Sequence, residues 1–389
     1  LEGRVGVVNE REQLAQLVAQ SSIKTVRVLA WRDLDDPEAG GSELHMDEFL
    51  RRWAAAGLRI DSRTSAVAGQ PARVRRHGYF AERRGGRYQV FPQAMWRGFR
   101  RDRHDYDALV EIWNGVPFFG PVWFRGPRLT VLHHVHQEMW KMTLPSKLAS
   151  VGWWIEHRLA PVFYRRGVVS TLSQSSAEEI HELLGLRNVH VVPVGISDYF
   201  SPGEQRSAEP LIVAVGRLVP VKRFDLLIDQ FVEVHRQLPS ARFVIVGEGY
   251  LRSDLEAHIA AAGASQWISL PGRVSDEELR SLYRSAWLVT SHSLREGWGM
   301  SITEAAACGT PSVVVDIAGH RDAVRNELSG VLVGEKEPLS REIVAVISDP
   351  ARLERLRHGA LEFARTLTWD AVALELFKLL DERARALKS

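Results

Sequence analysis

The chain has one cysteine, Cys308, in 389 residues. An intrachain disulfide is therefore excluded, and no Cys/His spacing suited to structural zinc is present. A reducing, cytoplasmic compartment fits that scarcity. Long apolar runs are also missing. A membrane-spanning helix needs about 18 or more consecutive apolar residues, and no such run occurs. Excess charge is missing too: 50 Lys and Arg face 48 Asp and Glu. That balance, with no nucleic-acid reading module, argues against a nucleic-acid partner. No secretory signal pattern opens the chain, and it begins with Leu, which suggests a trimmed or replaced N-terminus. There is no G-x-G-x-x-G fingerprint for a nicotinamide dinucleotide and no G-x-S-x-G elbow for a hydrolase. Internal repeats and low-complexity tracts are absent.

What is present is an ordinary globular composition, 45% hydrophobic and 25% charged. Single cores stop growing at roughly 250–300 residues, so two domains are expected. Short apolar runs alternate with helix-like stretches. "VRVLAW" (26–31), "YDALVEIW" (106–113), "LTVLHHV" (129–135), "GVVSTLS" (167–173) and "VHVVPV" (189–194) read as strands. A helix from Ser42 to Ala56 follows the first of them. "SSAEEIHELLG" (175–185) has a serine cap and a terminal glycine. The polar stretch 197–210 then interrupts the pattern and reads as a linker. Alternation resumes with "LIVAVG" (211–216) and a helix over 223–238, whose Phe224, Leu227, Ile228, Phe231 and Leu238 form one stripe. "RFVIVG", "WISLPG", "WLVTSH" and "PSVVVD" continue as strands to residue 316. The boundaries expected are a first domain over 1–196, a linker over 197–210, a second domain over 211–368 and a terminal helix over 369–389 that packs on either domain. Two such runs imply two doubly wound, Rossmann-like α/β domains facing a central cleft, with ligand beyond the carboxyl ends of the strands.

The segment "HSLREGWGMSITEAAACGTP" (292–311) sets Glu296 and Glu304 eight positions apart around a glycine loop at a helix start. The plain structural reading makes Ser301-Ile-Thr-Glu304 a capping box. That leaves Glu296 and "GWG" unexplained. Glycines there admit a ligand to the backbone, and free helix-start amides attract anions or sugar oxygens. Two nearby carboxylates are good acceptors for sugar and ribose hydroxyls. A second segment, "VAVGRLVPVKRFDLLI" (213–228), ends a strand at Gly216 and supplies Arg217 and, five residues later, Lys222. Two cations at that place suit a diphosphate, Arg as a fork and Lys as a point charge.

Taken with "VGEG", "LPGRVSDEEL" and "AGHRDAV", these segments, in this order, resemble the C-terminal half of retaining GT-B glycosyltransferases of family 4. The resemblance covers 211–325, and the N-terminal half matches more loosely. It implies that Arg217 and Lys222 hold the donor diphosphate, that Glu304 binds the ribose hydroxyls and that Glu296 contacts the transferred sugar. The backbone of Gly297, Trp298, Gly299 and Met300, with Ser301 at the helix start, would meet sugar and phosphate. Gly216, Gly247 and Val274 would lie near the nucleotide. In the N-terminal half, which binds varied acceptors in this family, Gly40 and Gly41 of "PEAGGSE" match the glycine loop facing the donor phosphates. A strand-end histidine is expected as well. His133 is first choice by register, with His134 and His136 assigned to the acceptor. Two departures stand out: Val194 in "PVG", where the family often has Asn, and Asp322, where it usually has Glu.

The resemblance implies transfer of a hexosyl-type group from a nucleotide-diphosphate sugar to a glycan, lipid-linked or small-molecule acceptor, with no cofactor and no metal. The Asp-x-Asp patterns "DLD" (33–35) and "DYD" (105–107) are short enough to arise by chance and lie in the wrong half. An epimerase-like relative and a non-catalytic binding protein remain the alternatives. Residues 73–103 hold ten arginines against Glu82 and Asp102, interleaved with aromatics, and 151–166 adds Trp153, Trp154, Phe163 and Tyr164. Basic residues beside aromatics suit peripheral contact with an anionic membrane. The plainer reading is a solvated loop and a core helix whose tryptophans are buried.

Overall fold

Short β-branched runs flanked by helices become the strands of two largely parallel sheets. The computed structural model describes residues 9–137, 140, 145–203 and 206–388. The chain divides into two units, Leu1–Gly195 with Trp369–Ser389, and Ile196–Thr368. In the first unit the strands are β1 (Thr25–Leu29), β2 (Arg59–Thr64), β3 (Arg73–Arg76), β4 (Tyr79–Arg83), β5 (Ala108–Trp113), β6 (Arg128–Leu132), β7 (Val168–Thr171) and β8 (Val189–Val191). Their order is β3-β4-β2-β1-β5-β6-β7-β8. Only the β3–β4 pairing is antiparallel among the described strands. All six residues of β5 are buried, as expected for a parallel strand covered on both faces.

The second unit has β9 (Leu211–Val215), β10 (Arg242–Val246), β11 (Ile268–Gly272), β12 (Leu288–Ser291), β13 (Ser312–Val315) and β14 (Gly330–Val333). Their order is β11-β10-β9-β12-β13-β14, all parallel. The helix Phe224–Gln237 buries Phe224, Leu227, Ile228, Phe231 and Val234 against this sheet. Leu238 of the expected stripe falls just past the helix end. The helix Gln174–Leu184 starts from Ser173, whose hydroxyl accepts the Ser176 amide at 3.1 Å. It stops at Gly185 in the left-handed region. The stretch after Ile196 is tied to the second unit, where Ser201 carbonyl accepts Arg284 at 2.7 Å and Ser207 carbonyl accepts Trp287 at 2.9 Å. The last helix, Trp369–Ala386, belongs to the first unit. Trp53, on the helix Gly41–Ala55, donates its indole N–H to Ala373 carbonyl at 2.8 Å and meets Phe377 edge-on.

The arginine-dense segment is not a solvated loop. It forms the β3–β4 edge hairpin and the helix Val90–Arg97, and several of its arginines turn inward. Arg83 is buried against Asp33 at 2.9 Å, and Arg76 reaches Asp33 at 3.1 Å and Asp35 at 2.6 Å. Arg27, inside β1 and fully buried, pairs with Glu82 at 3.0 Å and Asp102 at 3.1 Å; Arg97 meets the same two acids. Three of the four Asp-x-Asp carboxylates are occupied as well. The Asp33 and Asp35 carboxylates are taken by arginines, and Asp107 accepts the Lys24 and Thr25 amides at 2.9 and 2.8 Å. The core-helix expectation for 151–166 is corrected in part. Tyr164 is buried, whereas Trp153, Trp154 and Phe163 face solvent.

Removing one member of a buried ion pair strands its partner in a low-dielectric interior. Asp102→Ala is therefore expected to destabilise the first unit by about 3–5 kcal/mol, read from denaturant unfolding. A loss below about 1 kcal/mol would show that the Arg27 network does not carry this sheet.

Candidate active site

In a parallel sheet all strands end at one edge, and a crevice opens where the strand order reverses. In the second unit that reversal lies between β9 and β12. The loops after these two strands carry the two segments singled out in the sequence. After β9 come Gly216 and Arg217, then a tight turn over Pro220–Lys222. After β12 come His292 to Gly299, then the helix Met300–Ala307. Backbone ties the loops together, since the Leu294 amide donates to Val221 carbonyl at 2.8 Å. The Lys222 ammonium is ion-paired with the Glu296 carboxylate, whose Oε1 also accepts the Ser293 hydroxyl at 2.8 Å. The aliphatic stem of Lys222 lies over Gly216, where a Cβ would come within 3.3 Å of it. Arg217 is exposed at the strand end.

The neighbouring strand end explains the "VGEG" glycines. The Gly247 amide donates to Gly272 carbonyl and the Gly216 amide to Val246 carbonyl, both at 3.0 Å. Gly247 has φ +151°, and a Cβ there would sit 1.9 Å from the Gly216 carbonyl oxygen. Only glycine lets these two strand ends close up. Val274 lies just past β11, half-buried.

The helix start is not capped in the way Ser301 and Glu304 suggested. Its cap is Gly299, at φ +93°, with no side-chain bond. The capping box is absent because Glu304 turns away from the amides and accepts the Tyr283 hydroxyl at 3.1 Å. The backbone amides of Met300 and Ser301 are thus left without a side-chain acceptor. The two carboxylates differ electrically. Burial pushes the Glu296 carboxyl up, but the Lys222 ammonium, the His320 ring and two hydrogen bonds outweigh it and hold the group below its usual range. Burial pushes Glu304 up to about 7, against a lowering from the Tyr283 bond and with a further push from Asp276.

Two residues here escaped sequence reasoning. Tyr283, fully buried on the helix Asp276–Ser285, orients Glu304. His320, fully buried on the helix Ala318–Ala323, donates from Nδ1 to Val315 carbonyl at 2.7 Å and leaves Nε2 without a partner beside Gly299. Burial lowers its pKa, against a raising from the Glu296 carboxylate. The motif "AGHRDAV" was the only sequence signal for it.

In the first unit the strand order reverses between β1 and β5. Gly40 and Gly41 open the helix that follows β1, and the buried Glu43 carboxylate accepts the Gly40 amide at 2.8 Å. His133 lies just past β6 and is buried. Its Nε2 faces Nδ1 of His45, on the glycine-capped helix, at 3.2 Å. Burial lowers both pKa values, His45 to about 4. His45 was missed because a lone histidine four residues past the glycines carries no motif. His134 and His136 stack on each other with centroids 5.0 Å apart. The His136 amide is held by the buried Glu156 carboxylate at 3.1 Å.

Comparison with known proteins gives the context. The family described as Glycosyl transferases group 1 matches residues 197–363, and Glycosyltransferase Family 4 matches residues 39–198. A D-inositol 3-phosphate glycosyltransferase of Segniliparus rotundus is 30% identical over 203 residues, 48% of this chain and 45% of that protein. In that alignment the chain spans less than half of its relative. D-inositol 3-phosphate glycosyltransferase 1 of Catenulispora acidiphila is 27% identical over 85% of this chain and 88% of its own length. Among solved structures, sucrose-phosphate synthase from Thermosynechococcus elongatus superposes with a TM-score of 0.78 at 18% identity, covering 94% of this chain and all of that one. Anabaena HepE in complex with UDP-glucose gives 0.70 at 18%, covering 94% and 99%. With both halves matched in sequence and the two-sheet architecture shared, the chain belongs to the group 1 glycosyltransferases of family 4 and has the GT-B fold.

Proposed function

We propose that this glycosyltransferase moves a hexosyl-type group from a nucleotide-diphosphate sugar to an acceptor hydroxyl with retention of configuration and without a metal. One observation carries the reading. At the strand-order reversal of the second unit, Lys222 pairs with Glu296, on loops that also carry Gly216, Arg217 and the uncapped start of the helix bearing Glu304. Cations and free amides match a diphosphate; carboxylates match sugar and ribose hydroxyls. That Anabaena HepE was solved with UDP-glucose supports a donor of this class.

In this reading the Lys222 ammonium leaves Glu296 for the diphosphate, and Glu296 turns its acceptors to the transferred sugar. Glu304 takes the ribose hydroxyls. The bond from the anomeric carbon to the diphosphate oxygen breaks, and the electron pair stays on that oxygen. Arg217, Lys222 and the amides of Met300 and Ser301 stabilise the developing charge, the kind of preorganised electrostatics that supplies much of catalysis. The acceptor oxygen bonds to the same face of the anomeric carbon, and its proton passes to the diphosphate. Arginine, lysine and helix amides supply the positive charge that a divalent ion supplies elsewhere. Gly40, Gly41, His133, His134 and His136 are assigned to the same reaction by resemblance alone. The acceptor class is a glycan, a lipid-linked sugar or a small molecule. Peripheral contact with an anionic membrane is part of the proposal and is argued below.

Nucleoside-diphosphate release from UDP-, GDP- and ADP-sugars in EDTA should single out one donor. Lys222→Ala is expected to cut that turnover by roughly 10²–10³-fold. Full turnover in the variant would remove Lys222 from the diphosphate site, and loss of all turnover in EDTA would overturn metal independence.

The raised pKa of Glu304 sets a pH dependence. Hydroxyl donors need its ionised form, which is depleted below about 7. Affinity for the intact nucleotide sugar should rise by up to about tenfold per pH unit below that point and level off above it. Glu304→Gln should bind weakly with a flat profile. Calorimetric titration of both proteins from about pH 5.5 to 8 checks the sign; a wild-type affinity that falls with rising pH would contradict the role given to Glu304.

A further inference from the structure

A surface helix ordinarily turns its polar face to water. The helical run from Ser146 through a π turn at Ile155–Leu159 to Tyr164 does the reverse. Toward the protein it presents Ala149, Gly152, Glu156, Ala160 and Tyr164, all buried. The Gly152 position is closed by Trp140, whose ring a Cβ there would meet at 2.6 Å. Trp140 in turn donates its indole N–H to Glu156 at 2.8 Å. Toward solvent the run presents Leu148, Val151, Trp154 and Val162, exposed at 56, 54, 52 and 54%, flanked by Trp153 and Phe163. Apart from Tyr164, the large apolar side chains named here face outward, and the small ones and the acid face inward.

Charge on the same stretch is one-sided. Lys147, Arg158, Arg165 and Arg166 are exposed, and the only acid between 145 and 168, Glu156, is fully buried. Along this stretch water therefore meets aliphatic and aromatic groups whose exposed charged neighbours in sequence are all cations.

We infer that the solvent face of residues 146–166 docks this glycosyltransferase on an anionic lipid surface. Trp and Phe at an interface, with Lys and Arg around them, match the headgroup boundary, where apolar groups enter the acyl layer and cations meet lipid phosphates. A second copy of the chain fits poorly, because a two-fold contact here sets like charges against like. A nucleic acid would use the cations but leave the aliphatic side chains exposed. The inference gives the membrane contact of the proposed function its surface and its lipid charge, and it does not depend on turnover.

Flotation of the full-length protein with phosphatidylglycerol vesicles, and with phosphatidylcholine vesicles alone, tests the assignment. Binding to the first, little to the second, and a blue shift of tryptophan emission on binding are expected. Trp153→Ser with Trp154→Ser should weaken binding at least tenfold. Arg158→Glu with Arg166→Glu should weaken it more than roughly fivefold per charge, and high salt should weaken the wild type. Nucleoside-diphosphate release from a soluble donor, measured in parallel, reports the active site separately and should persist in all variants, which also shows that they fold. Three results would overturn the assignment: no binding to anionic vesicles, equal binding to neutral ones, or a wild-type dimer in sedimentation that the tryptophan variant abolishes.

Discussion

Parallel pairing with a reversal of strand order is the constraint on which the rest of the second unit depends. A parallel sheet delivers every strand end to one edge, and at the β9–β12 boundary two successive loops are left side by side with no helix between them. Residues 74 positions apart in sequence, Lys222 and Glu296, become an ion pair for that reason. The amide of Leu294 bonded to Val221 fixes the register of the two loops, and Gly216 leaves room for the lysine stem. The Gly247 contact then sets how closely the third strand end approaches. None of these features is separable: widening one loop would move a cation, a carboxylate and a helix start together.

The two glutamates show how one segment can hold two carboxylates in different states. Both are partly buried, and burial pushes both pKa values up. Glu296 has a lysine against it and stays ionised at neutral pH. Glu304 has only a phenol, which lends one hydrogen bond and no charge. The lysine that stabilises Glu296 is also the group proposed to meet phosphate. Donor binding would therefore shift the electrostatics of the transferred-sugar carboxylate as well as those of the diphosphate. His320, with a ring nitrogen that lacks a partner beside Gly299, is a further group coupled electrostatically to Glu296.

Much of the fold was legible in the sequence because parallel strands buried on both faces are short apolar runs, and those runs stand out. The glycine-loop segments were legible because backbone close approach demands glycine at fixed spacing, as Gly216 and Gly247 show. The apolar β14 was passed over, and most of the rest that failed had a common cause, namely side chains acting against their residue type. β2, β3 and β4 were missed because arginines and acids pair across them instead of apolar groups. The capping box at Ser301 was expected from spacing, but a tertiary partner, Tyr283, took the glutamate. His45 and Tyr283 carry no motif of their own, and only three-dimensional neighbours reveal what they hold.

The same failure explains the distribution of charge. Counting arginines along the chain points to residues 73–103 as the cationic face. In the fold, Arg76, Arg83 and Arg97 of that segment are paired inward with Asp33, Glu82 and Asp102, and its other arginines are exposed. Residues 146–166 contain fewer basic groups but bury their only acid. The net field of a surface depends on which charges remain unpaired and exposed, so one buried glutamate matters more to it than several arginines locked in ion pairs. Glu156 is held inside by Trp140 and the His136 amide. Those bonds therefore connect the loop that carries the candidate histidines to the helix that presents tryptophans to solvent, within one unit and over a few residues.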